Sequence, residues 1–458
     1  MRRFLVASSI VGFCLLNGIH AVLFNLYLLR LGYGPEFVGW VSAVGTLSFA
    51  LSALPAGLLA SRIGLRRAMT LGLVIGAFGF GLLSISDVIP VPARAPWLIV
   101  NRVVAIVGLA LFFVNATPFL AGATTEEARD HAYSIRMVLD SLAGFSGSLI
   151  GGVLPGLIAL LLGISPEHPA AYRYTLLAAS VICLPAAWAM SSIPEVETEQ
   201  ETEPEAGQAV VWERGVFPVS LIGAMALVVL LRGAGVGTSR TFFNVYMDDG
   251  LGMPTARIGL LLAVIQLLAV PAALLTPVLT ARRGAFRVTL VGSLGVAFSM
   301  LPIALVPHWA AATVGQVGIY ALSSIADVAL MAYQMALVAP RWRTHMAGTT
   351  SMAMGLSWTA LSVGGGYLIA GLGYRELFLL AGGLTALGTV LLGLIFGRRS
   401  IPGQSYLVSP GGLPRPPAPP SGDQTPRCPA EHGGICDGRG LRTAPTSPDP
   451  SHPGSEAV

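Results

Sequence analysis

Apolar runs of about 20 residues recur from Phe4 to Gly397, separated by short polar segments that often carry arginine. A run of that length crosses a hydrocarbon core about 30 Å thick as a helix. Twelve such spans are placed near residues 4–29, 36–60, 69–89, 97–121, 132–161, 171–191, 216–246, 256–280, 287–306, 309–338, 346–371 and 374–397. Each must be helical, because unpaired backbone groups are not tolerated in lipid. Several exceed 20 residues and must tilt or protrude. Two stretches break the pattern. Residues 192–214 hold Glu195, Glu197, Glu199, Glu201, Glu203 and Glu205 with little apolar between them, which predicts a solvated linker. From Arg398 onward the chain is rich in Pro, Gly and Ser and loses periodicity, which predicts a disordered tail. The expected organisation is an N-terminal six-helix bundle (1–191), an acidic cytoplasmic linker (192–214), a C-terminal six-helix bundle (215–399) and a disordered cytoplasmic tail (400–458).

Charge placement tests the count. With the N-terminus inside and sides alternating, fifteen arginines fall on the inner side, including Arg62, Arg66, Arg67, Arg282 and Arg287. Five, namely Arg30, Arg94, Arg173, Arg257 and Arg375, fall on the outer side. That asymmetry follows the positive-inside rule, and a missed or invented span would scramble it. The expectation is a multi-pass protein of the inner cell membrane of a bacterium, with both termini cytoplasmic. The run after Met1-Arg2-Arg3 is too long for a signal peptide and reads as a retained first span.

Composition agrees. The chain is 54% hydrophobic and 11% charged, against about 25% charged in soluble domains. All 27 basic residues are arginine, a bias that extends into the tail. No basic patch interleaved with aromatics suggests a nucleic-acid partner. Cys14 and Cys183 read as small buried hydrophobes. Cys428, His432 and Cys436 in the tail do not have a zinc-site spacing. No metal and no cofactor is expected.

The two halves repeat. Phe24-Asn25-Leu26-Tyr27 with Pro35 matches Phe243-Asn244-Val245-Tyr246 with Pro254 at an offset of 219. Arg62, Gly64 and Arg67 match Arg282, Gly284 and Arg287 at 220. Arg129, His131, Gly151 and Gly152 match Arg343, His345, Gly365 and Gly366 at 214. Six spans per half give both halves the same orientation.

The loop after span 2 reads Gly57-Leu58-Leu59-Ala60-Ser61-Arg62-Ile63-Gly64-Leu65-Arg66-Arg67. With the repeat, this segment resembles the signature of the major facilitator superfamily (MFS). Ser61 stands where that family usually carries an aspartate that helps latch the halves on the cytoplasmic side. Gly147, Gly151 and Gly152 in span 5 are similar to the glycine-rich motif of the family's antiporters, which has proline where Ser148 stands. Arg102 with Gly108 partly matches its intramembrane arginine motif. The resemblance implies an all-α membrane protein with twelve transmembrane helices in two bundles related by a pseudo-twofold axis. It also implies that spans 1, 4, 7 and 10 line a central cavity.

Buried polar residues are costly in lipid and are functional candidates by default. His20, Asn25, Arg102, Arg232, Arg240 and Asn244 lie deep in spans 1, 4 and 7. Gln316, Tyr320, Ser324, Asp327 and Gln334 form a stripe on one face of span 10. The expected substrate-binding set is His20, Asn25, Arg102, Arg232, Arg240, Asn244, Tyr320, Asp327 and Gln334. Arg232 and Arg240 lie roughly 80° apart around a helix and can reach one cavity. Asp327 is the candidate proton carrier, or it pairs with an arginine structurally. Gly57, Arg62, Gly64, Arg66, Arg67, Gly147, Gly151 and Gly152 are candidates for conformational roles. For the glycines of span 5, close helix packing is the simpler account.

The expected function is secondary transport of a small molecule by alternating access, proton-coupled, with efflux one of the directions open to it. The alternatives are an uncoupled facilitator or, in another class, a non-transporting membrane protein such as a lipid enzyme or receptor. No enzyme motif is present, and there is no lysine for a phosphate-binding loop. The expected partners are a small-molecule substrate, protons and membrane lipids, with the protein monomeric. The excess of deep arginines over acids suggests a substrate that is anionic or strongly hydrogen-bond accepting.

Overall fold

A computed structural model describes residues 2–124, 126–195, 219–338 and 342–397. Most of the predicted linker and the whole predicted tail lie outside the described residues.

Twelve membrane-length helices follow one another: α1 (Arg2–Arg30), α2 (Pro35–Ile63), α3 (Leu65–Ser84), α4 (Val91–Gly122), α5 (Glu126–Leu162) and α6 (Pro169–Ser191) make the first half. The second half is α7 (Val219–Gly250), α8 (Thr255–Arg283), α9 (Ala285–Leu305), α10 (Trp309–Leu337), α11 (Arg343–Gly371) and α12 (Tyr374–Phe396). Among the described residues there is no strand. Eleven of the twelve are apolar enough to span a membrane by composition alone; α11 falls short because Gly, Ser and Thr crowd its sequence. Large apolar side chains such as Leu160, Phe298, Val314 and Leu394 are exposed on the outside of the helices. An apolar belt of this kind suits hydrocarbon, not water.

The boundaries follow local sequence. α2 and α8 each end at a glycine with positive φ, Gly64 (94°) and Gly284 (79°), so the repeated loop motif makes the same left-handed turn in both halves. Pro185 interrupts α6 after Ile182, and the helix restarts at Leu184. The break in α1 bears most on function. Its first segment runs Arg2–Val11, opens into a π-helical turn at Gly12–Leu16, and stops; a second segment runs Ile19–Arg30. Gly18 between them has non-helical φ −101° and ψ −127°. A Cβ on Gly18 would collide with the Phe13 carbonyl oxygen, so only glycine fits this break. A helix broken at membrane depth is tolerated only where protein or a cavity satisfies the freed backbone.

The halves meet chiefly along α2 with α11 and α5 with α8, with smaller contacts of α1 with α7, α2 with α7 and α1 with α8. α1, α3 and α6 share one face of the molecule, where Arg3 donates to the Ser192 carbonyl and Arg66 meets Glu195; this is called the N-terminal face. α1 and α7 finish at the opposite face.

Candidate functional site

The bundles are joined at the opposite face by charge, by amides and by bare backbone. Arg30, the last residue of α1, makes a two-pronged pair with Asp248 of α7, both bonds 2.7 Å. Such fork-to-fork pairing is stronger and more directional than a single bond. Glu167 meets the Nε of Arg30 at 2.8 Å, and Tyr172 of α6 shares a 2.7 Å hydrogen bond with Thr255 of α8.

One helical turn deeper, the repeated asparagines bond across the pseudo-twofold axis. Asn25 donates to the Thr241 carbonyl at 2.9 Å, and Asn244 donates to the Val22 carbonyl at 3.0 Å. Val22 and Thr241 are themselves related by 241 − 22 = 219, the offset of the asparagines. The repeat therefore makes one contact twice.

The helix crossings obey the same symmetry. A Cβ on Gly152 of α5 would lie 2.8 Å from the Gly259 Cα of α8. A Cβ on Gly366 of α11 would lie 2.8 Å from the Glu36 Cα of α2, and one on Gly39 of α2 would strike the Ser362 carbonyl. Gly152 and Gly366 are repeat partners at 214, and Gly39 and Gly259 at 220. Gly151 packs on Ile19, and Gly147 lies against the Phe13 carbonyl at the α1 break. Trp40 of α2 adds a 3.0 Å bond to the Tyr367 hydroxyl of α11.

Toward the N-terminal face the contact is lost. A Cβ placed on Gly57 of α2, or on Gly348 or Gly355 of α11, would meet nothing within 4 Å. Leu54, Leu274 and Met352, on α2, α8 and α11, are each at least two-thirds exposed.

Between the halves, beneath the seal, lies a cavity of about 120 Å³. α1 contributes Asn17, Ala21 and Val22; α7 contributes Ser239, Arg240, Phe243 and Asn244; α5, α8 and α10 contribute Ser148, Leu262, Gln266, Gln316 and Tyr320. The α1 break faces this space. The freed Asn17 carbonyl accepts from the Ser148 hydroxyl at 2.8 Å and from the Gln266 amide at 3.1 Å. Ser239 donates to the Gln316 side-chain oxygen at 2.8 Å. The Arg240 guanidinium sits 5.3 Å from the Trp358 ring centre and 5.9 Å from that of Tyr320, within cation–π range of both.

The sequence candidates scatter around this cavity. Arg240, Asn244 and Tyr320 line it. Asn25 and Asn244 both serve the seal. His20 does not reach the cavity: it is buried inside the N-terminal bundle, 3.2 Å from the Ser180 hydroxyl and against the Phe80 ring. Arg102 also stays in that bundle, its guanidinium 4.9 Å over the Phe24 ring. Arg232 is buried within the other bundle, paired with Asp327 and donating to Ser293 at 3.1 Å. Arg232 and Arg240 do not share a cavity, since eight residues raise one about 12 Å above the other along the axis. Gln334 is buried near the N-terminal-face end of α10. Asp140 bonds Ser8 at 2.9 Å and pairs with Arg136 at i,i+4.

In the loop motif, Arg62 and Arg67 are exposed. Arg66 is held by Glu195, which accepts from its backbone N–H at 3.1 Å and from its Nε at 3.0 Å. Arg66 also donates to the Ile193 carbonyl. Glu195 thus caps α3 from a position that sequence reading assigned to the linker. Sequence reading also missed Asn17, Ser148 and Gln266, because lone amides and hydroxyls in apolar helices carry no periodic signal.

Two parallel six-helix halves, a pseudo-twofold axis and a polar cavity between the bundles define a membrane protein of the transporter class. The chain belongs to the Major Facilitator Superfamily, whose profile matches residues 6–361. No curated protein sequence matches it significantly. Among solved structures it is similar to the nucleoside transporter NupG, with 11% identity, a TM-score of 0.68, and 87% of this chain and 99% of that one covered. The inward open conformation of the xylose transporter XylE from E. coli gives 13% identity, a TM-score of 0.67 and coverages of 87% and 97%. A bacterial homolog of the human lysosomal transporter Spinster, inward-facing and occupied, gives 15%, 0.65, 86% and 95%. At these identities the likeness shows the fold.

Proposed function

We propose that this chain is a secondary transporter that carries a small molecule by alternating access, and that the structure corresponds to its inward-facing state. The observation that carries this reading is the asymmetry of the interface: the bundles are locked at the Arg30–Asp248 face and apart at the Arg66 face, with a polar cavity between. Transporters of this build rock two bundles around a central site. The N-terminal face, which carries Arg62, Arg66 and Arg67, is cytoplasmic in this reading, because positive charge favours that side. The linker and both termini lie on the same side, in the inner cell membrane.

We assign energy coupling to the proton gradient and the carrier to Asp327. Its carboxylate is paired with Arg232 yet its side chain is 43% exposed, so a proton can reach it. Protonation would release Arg232, a change of contact on α7 itself. Gly57 and the loop from Arg62 to Arg67 lie where the bundles must close in the opposite state.

The test is uptake and efflux of labelled compounds in proteoliposomes of the full chain, with and without an imposed pH gradient. Gradient-driven accumulation that Asp327→Asn abolishes, while leaving exchange at equal substrate concentrations, is the expected result. Gradient-independent equilibration by both proteins would leave an uncoupled facilitator, the reading in which the Arg232–Asp327 pair is structural. Absence of any transmembrane flux would refute transport.

A further inference from the structure

We infer that the substrate of the central cavity is a small organic monocarboxylate, bound through the guanidinium of Arg240; the inference rests on the transporter reading and names its substrate class. The argument begins with charge. Of the arginines deep in the spans, Arg232 is neutralised by Asp327 within its own bundle. Arg240 has no hydrogen bond and no ion pair among the described residues, and its side chain is exposed to the space between the bundles. No Asp or Glu lies in the cavity wall. A positive charge therefore faces a confined space that no carboxylate among the described residues answers.

At membrane depth such a charge attracts an anion and repels a cation. The Tyr320 and Trp358 rings lie within cation–π range of the guanidinium, whose N–H donors make no hydrogen bond among the described residues and stay available to a ligand. A planar fork of donors matches the two oxygens of a carboxylate.

The rest of the wall sets the body of the ligand. Ala21, Val22, Phe243 and Leu262 give an otherwise polar wall one apolar side, which suits a short hydrocarbon or aromatic skeleton. Asn244, Ser148 and Gln266 have polar atoms already committed to backbone or to one another, so they supply few free contacts. One accessible cation, with no second basic residue in the wall, favours a monoanion over phosphate, whose second charge would lie unpaired and dehydrated. The volume, about 120 Å³, limits the ligand to a small molecule in this state.

The experiment is binding to the purified full-length protein, read by ligand-induced thermal shift and by calorimetry. The probes are acetate, butyrate, hexanoate, benzoate and phenylacetate, each beside its neutral amide, with inorganic phosphate and benzylamine. At least one carboxylate should bind saturably, and its amide should bind at least tenfold more weakly. Arg240→Gln should weaken that carboxylate by about 10- to 100-fold, the range of a charge-assisted hydrogen bond. Arg240→Lys, which keeps the charge and loses the fork, should fall between. Arg257→Gln, exposed at the opposite face, should bind as wild type does.

Should Arg240→Gln fail to fold, the carboxylate–amide pairs on wild type and the lysine variant still decide. Binding of no carboxylate, equal binding of the amides, or preferential binding of phosphate or benzylamine would overturn the inference. Spin-label distances across the Arg30–Asp248 face, measured on the same protein, separate the two failures. If the bundles interconvert but no carboxylate binds, the substrate class is refuted. If they do not interconvert, the transporter reading itself fails.

Discussion

The Arg30–Asp248 clasp offers a quantitative test of the seal. Asp248→Asn keeps the size of the side chain and removes its charge. In the wild type both partners are largely shielded, with side-chain exposures of 15% for Arg30 and 5% for Asp248. Removing one partner of a well-buried pair costs about 3–5 kcal/mol. Here Glu167, itself 71% exposed, remains on the Arg30 Nε and holds part of the charge, and exposed pairs of that kind contribute less than about 1 kcal/mol. The net weakening of the sealed face is therefore about 2–4 kcal/mol, which changes the ratio of sealed to open molecules at least roughly 30-fold. Labels on Ser165→Cys and Val306→Cys report the separation across that face, in a background without Cys428 and Cys436. Cys14 and Cys183 are buried and stay unlabelled. Pulsed electron-electron double resonance should show a dominant short distance with a minor longer population in wild type, and a much larger share of the longer population in Asp248→Asn. An unchanged distance distribution, in protein that unfolds at the wild-type temperature, would refute the claim that this pair holds the face shut.

The glycine crossings and the motif clamp give further expectations. Gly152→Leu and Gly366→Leu, at repeat-related crossings, should each force α5 from α8 or α11 from α2 and shift the same labels to the longer distance, while Gly57→Leu, in open space, should not. Glu195→Gln should loosen the start of α3 by about 1 kcal/mol, the usual worth of an exposed helix cap, measured by hydrogen exchange at Leu65–Met69; unchanged exchange would show the clamp to be idle. Reporter fusions at residues 94, 200 and 308 should give outer-side activity at 94 and 308 and cytoplasmic activity at 200, and any reversal would refute the proposed topology.

The sequence by itself determined the number of spans, the duplication and the family, because lipid imposes length, apolarity and arginine asymmetry on every crossing. It also picked Arg240, Tyr320 and Asn244, since polar groups at membrane depth are rare enough to notice. It could not say which of the deep arginines faced the cavity. Arg232 and Arg240 look alike along the chain, and only the packing of α10 and α9 against α7 gives one Asp327 and Ser293 and leaves the other with aromatic faces. His20 likewise reads as a cavity residue until α6 and α3 supply Ser180 and Phe80. The repeat, visible as matched asparagines and glycines, became a set of paired contacts only when the halves were docked: Asn25 and Asn244 exchange bonds, and Gly152 meets Gly259 as Gly366 meets α2. The state of the interface, sealed at one face and parted at the other, rests on contacts between residues 83 to 327 positions apart. Local propensity and periodicity do not encode such contacts; the docking of one bundle on the other does.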